Sequence, residues 1–310
     1  MLMLESLSRK GIVPDTIQVG NLSEQDVTAL CADTFYVAPL AVARLARLIH
    51  IKTLGNPFFV TQFIKTLHAD RLITFDAGRR HWCWDIDEIE QHPIPDDVVQ
   101  LMAAKITTLA PATQRLLTLA ACIGHVFALD TLTMIGKGEE CETRADLASA
   151  VREGLVIPDA HLYRFSHDRI QQAAYSLMAD SEHTHLRIGR LLLRDGKPAG
   201  ERLFEVVNQL NAARRLITDP QERLDLAALN REAGQQAKSG TAYAAALNYL
   251  SSAVELLPAD QWSRHYDLTF SIHSEWAWCR FYAGETAGIE ALFATLLAHA
   301  QGLEDAVRVH

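Results

Sequence analysis

The sequence predicts a mainly α-helical protein that contains two short β-hairpins. Apolar residues recur at the spacing of amphipathic helices over almost the whole chain, and only residues 73–87 and 155–168 show paired β-like runs around a turn. Residues 229–258 match the small-residue pattern of a tetratricopeptide repeat, which is a pair of helices. At 310 residues the chain is expected to form two or three compact units.

The first ninety residues predict three helices followed by the first hairpin. Ser23 is a candidate N-cap for a helix within 22–35. Residues 39–55 begin with a proline, which is permitted at a helix start, and end on Gly55, a residue typical of helix ends. A third helix over 56–72 precedes the hairpin.

The middle of the chain predicts a winged-helix domain over residues 92–180. The prolines of 92–97 mark its boundary, and behind them the elements follow in the order helix, helix, helix, β-hairpin, with the hairpin as the wing. The predicted helical segments are 97–124 with a break at Pro111, 128–136 and 141–154.

Residues 181–310 predict a region of TPR-like helical repeats. The small, small, bulky, small and proline positions of one repeat are occupied by Gly234, Ala246, Leu250, Ala253 and Pro258. Residues 268–300 have the same two-helix length around a turn at Gly284. Because one repeat cannot bury its own faces, we expect a stack of helix pairs that binds protein partners. No polar capping helix ends the chain, so the region is expected to be truncated at its C-terminus.

Charge and hydropathy bound the partners. The formal net charge of −9 disfavours nucleic acid and anionic membranes, and no apolar run approaches the roughly 20 residues of a membrane span. The third helix of the predicted winged-helix domain is net acidic, with Arg144 and Arg152 set against Glu142, Asp146 and Glu153. A helix that follows DNA phosphates should be basic, so DNA reading by this element is disfavoured.

The cysteines indicate a reducing compartment. There are five, an odd number, and no C-x-x-C pair occurs among them. A zinc site or a disulfide framework is therefore not expected, and a cytoplasmic location fits best.

Ser166-His167-Asp168, at the end of the second hairpin, is the first candidate site. A catalytic His–Asp pair would need a nucleophile in a context such as G-x-S-x-G, and a metal site would need a third ligand; the sequence offers neither. The remaining interpretation is a helix cap, with Ser166 or Asp168 as the acceptor and Gln171 closing a box. His167 could additionally present a ring N–H to an anion at the helix N-terminus. We therefore predict no catalytic residue and no metal ligand.

Gly55-Asn56-Pro57 is the second candidate site, and two interpretations stay open. In one, the turn senses a nucleotide, with Pro57 against the base and Asn56 as the helix cap. In the other, it is an ordinary helix–turn–helix with buried phenylalanines behind it. No G-x-x-x-x-G-K-[ST] loop exists in the chain, so it is not expected to be an ATPase by itself.

Five segments carry a resemblance to one known family. They are GNPFFVTQFIKTL, VVQLMAAKITTLAPATQRLLTLAACIG, YRFSHDRIQQAAYSL, HLRIGRLLL and LFEVVNQLN. They resemble the predicted-ATPase region of large bacterial sensor kinases, a signal-transduction ATPase of the AAA-related STAND class. In that family a serine/threonine-kinase-like domain precedes the ATPase, and helical repeats, GAF domains and often a histidine kinase follow.

The resemblance implies a function for each candidate site. Residues 1–91 would be the helical lid subdomain with a short hairpin, placed after a phosphate-binding core that lies outside this chain. Gly55 and Pro57 would touch the adenine, with Asn56 between them. His167, followed by Asp168, would contact the β-phosphate of ADP and hold the closed state. ATP or ADP would be bound by the parent protein, and no cofactor is expected for the isolated chain.

Three functions follow as hypotheses. The chain is a regulatory segment whose partner is the nucleotide-binding core of the same polypeptide or of a split protein, and its repeats relay the nucleotide state. Alternatively, it is a protein-interaction scaffold that does not depend on nucleotide. A DNA-binding transcriptional regulator is the third hypothesis, against which the acidic helix speaks.

Overall fold

The computed structural model describes residues 19–91, 98–194, 196–285 and 288–309. Helices dominate these residues and the strands are few, short and antiparallel, which confirms the predicted mainly α fold class. The chain divides into two compact units, residues 1–105 (the first unit) and 106–310 (the second unit). The proline-marked boundary predicted at 92–97 lies outside the described residues.

The first unit contains a helical part and a two-stranded hairpin. Its elements are α1 (Glu24–Phe35), α2 (Pro39–Thr53), α3 (Pro57–Ala69), β1 (Ile73–Asp76), β2 (His81–Trp84), α4 (Ile86–Gln91) and α5 (Val98–Thr107), which contains the boundary between the units. The predicted cap of α1 is confirmed, because Ser23 and Asp26 form a reciprocal capping box. The hairpin covers α1, since the Phe35 ring lies 5.6 Å from that of Trp82 and 5.5 Å from that of Trp84.

The second unit begins with helices around a small sheet and continues with helices alone. Its elements are α6 (Pro111–Ile123), β3 (Val126–Ala128), α7 (Leu129–Gly136), α8 (Glu140–Arg152), β4 (Val156–Asp159), β5 (Leu162–Phe165), α9 (Asp168–Ser176), α10 (Ser181–Leu193), α11 (Glu201–Ala212), a 3-10 turn (Arg214–Leu216), α12 (Pro220–Ser239), α13 (Tyr243–Leu256), α14 (Gln261–Arg264), α15 (Tyr266–Tyr282), α16 (Ile289–His299) and α17 (Leu303–Val309).

The sheet of the second unit has three strands in the order β3-β5-β4. The predicted hairpin is present as β4 and β5, and β3, which the sequence did not predict, pairs with the other edge of β5. Phe127 of β3 and Phe165 of β5 are both fully buried, with their rings 5.6 Å apart. The extra strand thus places the residue before β3 beside the end of β5.

The helical repeats pack through small residues, as predicted. A Cβ on Gly234 of α12 would lie only 2.7 Å from Cγ of Leu250 on α13, so the two helices approach closely at that glycine. The sequence did not predict a further pair of the same kind: a Cβ on Gly189 of α10 would lie 2.5 Å from Cδ2 of Leu210 on α11. Gly284, after α15, adopts the left-handed conformation expected of the predicted turn, with φ +78°.

No helix in the described ranges combines the length and the apolar character that crossing a lipid bilayer requires.

Candidate functional site

Gly55 forms the turn between α2 and α3 of the first unit. Its backbone is left-handed, with φ +71°, and its carbonyl oxygen accepts a hydrogen bond of 2.8 Å from the N–H of Leu22. A Cβ at this position would overlap the backbone of Leu22 and lie 3.2 Å from Cδ2 of His50. The close approach of two backbones therefore requires glycine here, whether or not a nucleotide binds.

Asn56 and Pro57 begin α3 in the way that the sequence predicts. The Asn56 side-chain oxygen accepts hydrogen bonds from the N–H groups of Phe58 at 3.1 Å and Phe59 at 3.4 Å, and Pro57 is the first helical residue. Phe59 is buried and Phe58 half-buried, whereas Pro57 is exposed. Packing and capping thus account for Gly55, Asn56 and Phe59, while the ring of Pro57 remains accessible to another molecule.

The cap of α9 in the second unit differs from the predicted one. His167 is the N-cap residue, and its ring Nδ1 accepts a hydrogen bond of 3.2 Å from the N–H of Arg169. His167 is extended, with φ −157° and ψ 146°, so its ring reaches back to the first turn. The predicted acceptors, Ser166 and Asp168, are therefore wrong.

Each predicted capping group is engaged elsewhere. The Ser166 hydroxyl donates to the carbonyl oxygen of Gly154, which anchors the end of β5 to the segment before β4. Asp168 is the first helical residue, and its side chain is 88% exposed. Gln171 donates a hydrogen bond of 3.1 Å to the carbonyl oxygen of Ala121, at the end of α6.

The cap determines which ring nitrogen of His167 carries the proton. Because Nδ1 accepts a hydrogen bond, the neutral ring carries its proton on Nε2, which is then a donor. The ring is half-buried and stands at the N-terminus of α9, where the helix dipole favours negative charge. An N–H donor at a helix N-terminus has the chemistry that suits an anion.

His125 is a site residue that sequence reasoning missed. Its Nδ1 lies 3.0 Å from Oδ1 of Asp168, close enough for an ion pair when the ring is protonated, although the two groups are not aligned as a hydrogen bond. The carbonyl oxygen of His125 accepts a hydrogen bond of 3.0 Å from the N–H of Phe165. Pairing of β3 with β5 thus brings this histidine to the candidate site, and no local motif signals it.

The candidate residues belong to two units. Gly55, Asn56 and Pro57 lie in the first, and His167 and Asp168 lie with His125 in the second.

Two observations in the described part of the chain concern metal ligands and thiol nucleophiles. No group of three or more histidine, cysteine or acidic side chains there is arranged to hold a metal ion. Burial raises the pKa of the Cys31 and Cys122 thiols to about 11, so both stay protonated at neutral pH.

Comparisons with known proteins give a signalling relative. No family model matches the chain. The chain is 27% identical over 351 aligned residues to the hybrid signal transduction histidine kinase G of Dictyostelium discoideum. This alignment covers 92% of the chain but only 10% of that kinase.

Among solved structures, the chain is similar to a Signal Transduction ATPase with Numerous Domains (STAND) protein with a tetratricopeptide repeat sensor from Pyrococcus horikoshii. The identity is 13%, the TM-score is 0.40, and the likeness covers 90% of this chain and 41% of that protein.

Proposed function

We propose that this chain is a regulatory segment of a STAND-type signalling ATPase within a multidomain sensor kinase in the cytoplasm. In this function, His167 contacts a phosphate of bound ADP, and the helical repeats relay the nucleotide state to a protein partner. The phosphate-binding core comes from another part of the same polypeptide or from a split partner. The observation that carries the proposal is the His167 cap, which directs the ring proton to Nε2 at a helix N-terminus.

The surroundings of His167 support an anion rather than a catalytic function. The backbone amide of Arg169 occupies Nδ1, so that nitrogen cannot act as a general base while the cap is formed. The neighbouring carboxylate of Asp168 lies 3.0 Å from Nδ1 of His125. A ring that is held in place and donates one proton suits the recognition of a fixed phosphate oxygen.

In this proposal, the turn between α2 and α3 contacts the base of the nucleotide through Pro57. Of the three residues in the Gly55–Pro57 turn, proline is the one with an exposed side chain. Asn56 holds the first turn of α3 and thereby fixes the direction of the proline ring. We assign the base contact to Pro57 and a supporting function to the other two residues.

A comparison of two variants tests the proposal in the full-length protein. His167→Ala removes the phosphate donor, and a hydrogen bond to a charged group contributes about 1.5–3 kcal/mol. We expect ADP to dissociate roughly 10–100-fold faster and the basal signalling output to rise. His161→Ala is the matched control, because that exposed histidine precedes β5 and so lies at the opposite end of the strand. Unchanged ADP release and unchanged output in His167→Ala would refute phosphate sensing.

A protein-interaction scaffold is the second candidate function. The end of α15 exposes two adjacent aromatic side chains, Phe281 at 52% and Tyr282 at 55%. Exposed aromatic groups of this kind are typical of protein-binding surfaces. Under this alternative, partner binding would be the same in the presence and absence of ADP.

A DNA-binding function finds less support. In α8, Arg144 is paired with Glu140 at 2.8 Å, which neutralises one of the two arginines that could contact phosphates. We therefore do not propose it.

A further inference from the structure

Three polar side chains on three helices of the second unit form a continuous hydrogen-bonded chain. The Tyr175 hydroxyl of α9 lies 2.9 Å from Nε2 of His185 on α10, and Nδ1 of His185 lies 2.6 Å from Oε1 of Gln209 on α11. His185 and Gln209 are 8% and 6% exposed. Nε2 of Gln209 then donates to the carbonyl oxygen of Cys122 at 2.7 Å.

The hydrogen atoms in this chain have one consistent arrangement. A backbone carbonyl only accepts, so the Gln209 amide nitrogen faces Cys122 and its oxygen faces His185. That oxygen also only accepts, so His185 carries its proton on Nδ1 and accepts the Tyr175 hydroxyl proton at Nε2. The ring nitrogens of His185 and the amide of Gln209 thus all have partners, and donation runs in one direction, from α9 to the end of α6.

The chain ends on carbonyl groups that a helix cannot satisfy by itself. Cys122 and Ile123 close α6, and the last carbonyls of a helix have no partner within it. Gln209 donates to both, at 2.7 and 3.5 Å. A side chain from the first repeat helix pair, α10–α11, thus caps the helix that precedes Gly124 and His125.

His125 connects this capped helix end to the candidate anion site. It lies two residues beyond α6 and approaches Asp168 at 3.0 Å, beside the His167 cap. A shift of α11 that withdraws Gln209 would leave the carbonyls of Cys122 and Ile123, directly before Gly124 and His125, without this side-chain donor.

We propose that Gln209 and His185 are positioning residues that couple the first repeat helix pair to His125, and through it to the His167–Asp168 end of α9. This coupling gives the repeats a route to regulate the anion contact. Its functional consequence rests on the function proposed above; the structural coupling does not.

If Gln209 and His185 only stabilised the fold, the loss of another hydrogen-bonded amide from α11 would have the same effect as the loss of Gln209. Asn211 lies on the same helix and forms a reciprocal amide pair with Asn230 of α12, at 2.8 and 2.9 Å. That pair bonds only within the repeats and does not reach α6 in any of the contacts above. It is therefore a matched control for the loss of a hydrogen-bonded amide from α11.

The experiment compares Gln209→Met with Asn211→Leu in the full chain labelled at histidine and backbone nitrogen. We expect Gln209→Met to move the ring signals of His125 and His167 in NMR spectra. It should also raise hydrogen exchange of the Phe165 amide, which is bonded to the His125 carbonyl, by about tenfold. Asn211→Leu should leave these signals unchanged. Tyr175→Phe removes only the outer hydroxyl and should give smaller shifts of the ring signals in the same direction. This variant keeps the coupling testable if Gln209→Met does not fold.

Two outcomes overturn the coupling: ring signals and Phe165 exchange that stay unchanged in both Gln209→Met and Tyr175→Phe, or equal changes in Gln209→Met and Asn211→Leu. ADP release from the full-length protein separates this result from the proposed function. Shifted rings with unaltered ADP release in both Gln209→Met and His167→Ala support the coupling and refute the nucleotide function. Faster ADP release in His167→Ala with unmoved rings in Gln209→Met supports that function and refutes the coupling.

Discussion

Replacing Gly55 by alanine tests whether packing alone requires a glycine at the turn between α2 and α3. The new Cβ would overlap the carbonyl oxygen of Leu22, whose own N–H donates to Gly55 at 2.8 Å. Since real Cβ atoms essentially never come closer than 3.0 Å to such a neighbour, the backbone of Leu22 has to move away. That movement stretches the one backbone hydrogen bond between the two residues.

The expected loss of stability has two parts. An alanine in the left-handed region costs about 1–2 kcal/mol, and a lost backbone hydrogen bond costs about 0.5–1.5 kcal/mol. Before the unfolded chain is considered, we therefore expect Gly55→Ala to lower the free energy of unfolding of the first unit by about 1.5–3.5 kcal/mol. The gain from a stiffer unfolded chain, about 0.4–1 kcal/mol, offsets part of this loss.

Gly154→Ala is the matched control for the backbone conformation. Gly154 has the same φ of +71°, and nothing lies within 4 Å of the position its Cβ would take. The left-handed strain and the effect on the unfolded chain are therefore common to both variants, and the difference between them isolates the clash. That difference should be about 0.5–1.5 kcal/mol or more.

Native-state hydrogen exchange is the suitable assay, because it reports the stability of each of the two compact units through the amides of that unit. Amides of α1 to α3 report Gly55→Ala, and amides of α8 and β4 report Gly154→Ala. If Gly55→Ala is no more destabilising than Gly154→Ala, the close approach to Leu22 is not what requires the glycine. A direct function of Gly55 in nucleotide binding would then be the better explanation for the glycine.

Two further predictions concern the repeats. Burial, with a smaller contribution from His299, lowers the pKa of His273 below its usual 6.5, so the unfolded chain takes up a proton there before the folded one. The free energy of unfolding should therefore fall as the pH drops below about 6.5, by at most about 1.4 kcal/mol per pH unit for this group. Urea titrations at several pH values should show a smaller fall in His273→Gln than in the unaltered protein. An equal dependence on pH in both proteins would contradict this. If the repeats bind a protein partner as proposed, Phe281→Ser should weaken that binding at least tenfold in pull-down titrations. Thermal stability should stay unchanged, since Phe281 is 52% exposed. Equal binding would exclude Phe281 from the partner surface.

The starts of several helices could be predicted from the sequence, because each depends only on residues within one turn of chain. Ser23, Pro39 and Pro57 each begin a helix at the predicted place, since a cap or a fixed φ depends on one turn of chain. Gly234 predicted a close helix contact because a missing side chain is visible in the sequence itself.

The candidate site at α9 was only partly predictable because pairing between distant segments builds it. The three residues of β3 have no alternating pattern long enough to indicate a strand, and their partner β5 follows more than thirty residues later. His125 reaches the site only through that pairing. The cap preference for serine and aspartate also failed, because the Ser166 hydroxyl bonds to the Gly154 carbonyl instead.

Asp168 is the feature against which the phosphate function of His167 has to be weighed. A carboxylate on the first residue of α9 takes the position where the helix dipole would otherwise attract a phosphate, and two like charges there repel. His125, 3.0 Å from that carboxylate, offsets its charge when protonated. Under the proposed function, an anion contact at His167 depends on the position of His125. Gln209 of α11 donates to the end of α6, two residues before His125. Under the proposed function and the proposed coupling, the pairing of Asp168 with His125 is the means by which the repeats permit or oppose the phosphate contact.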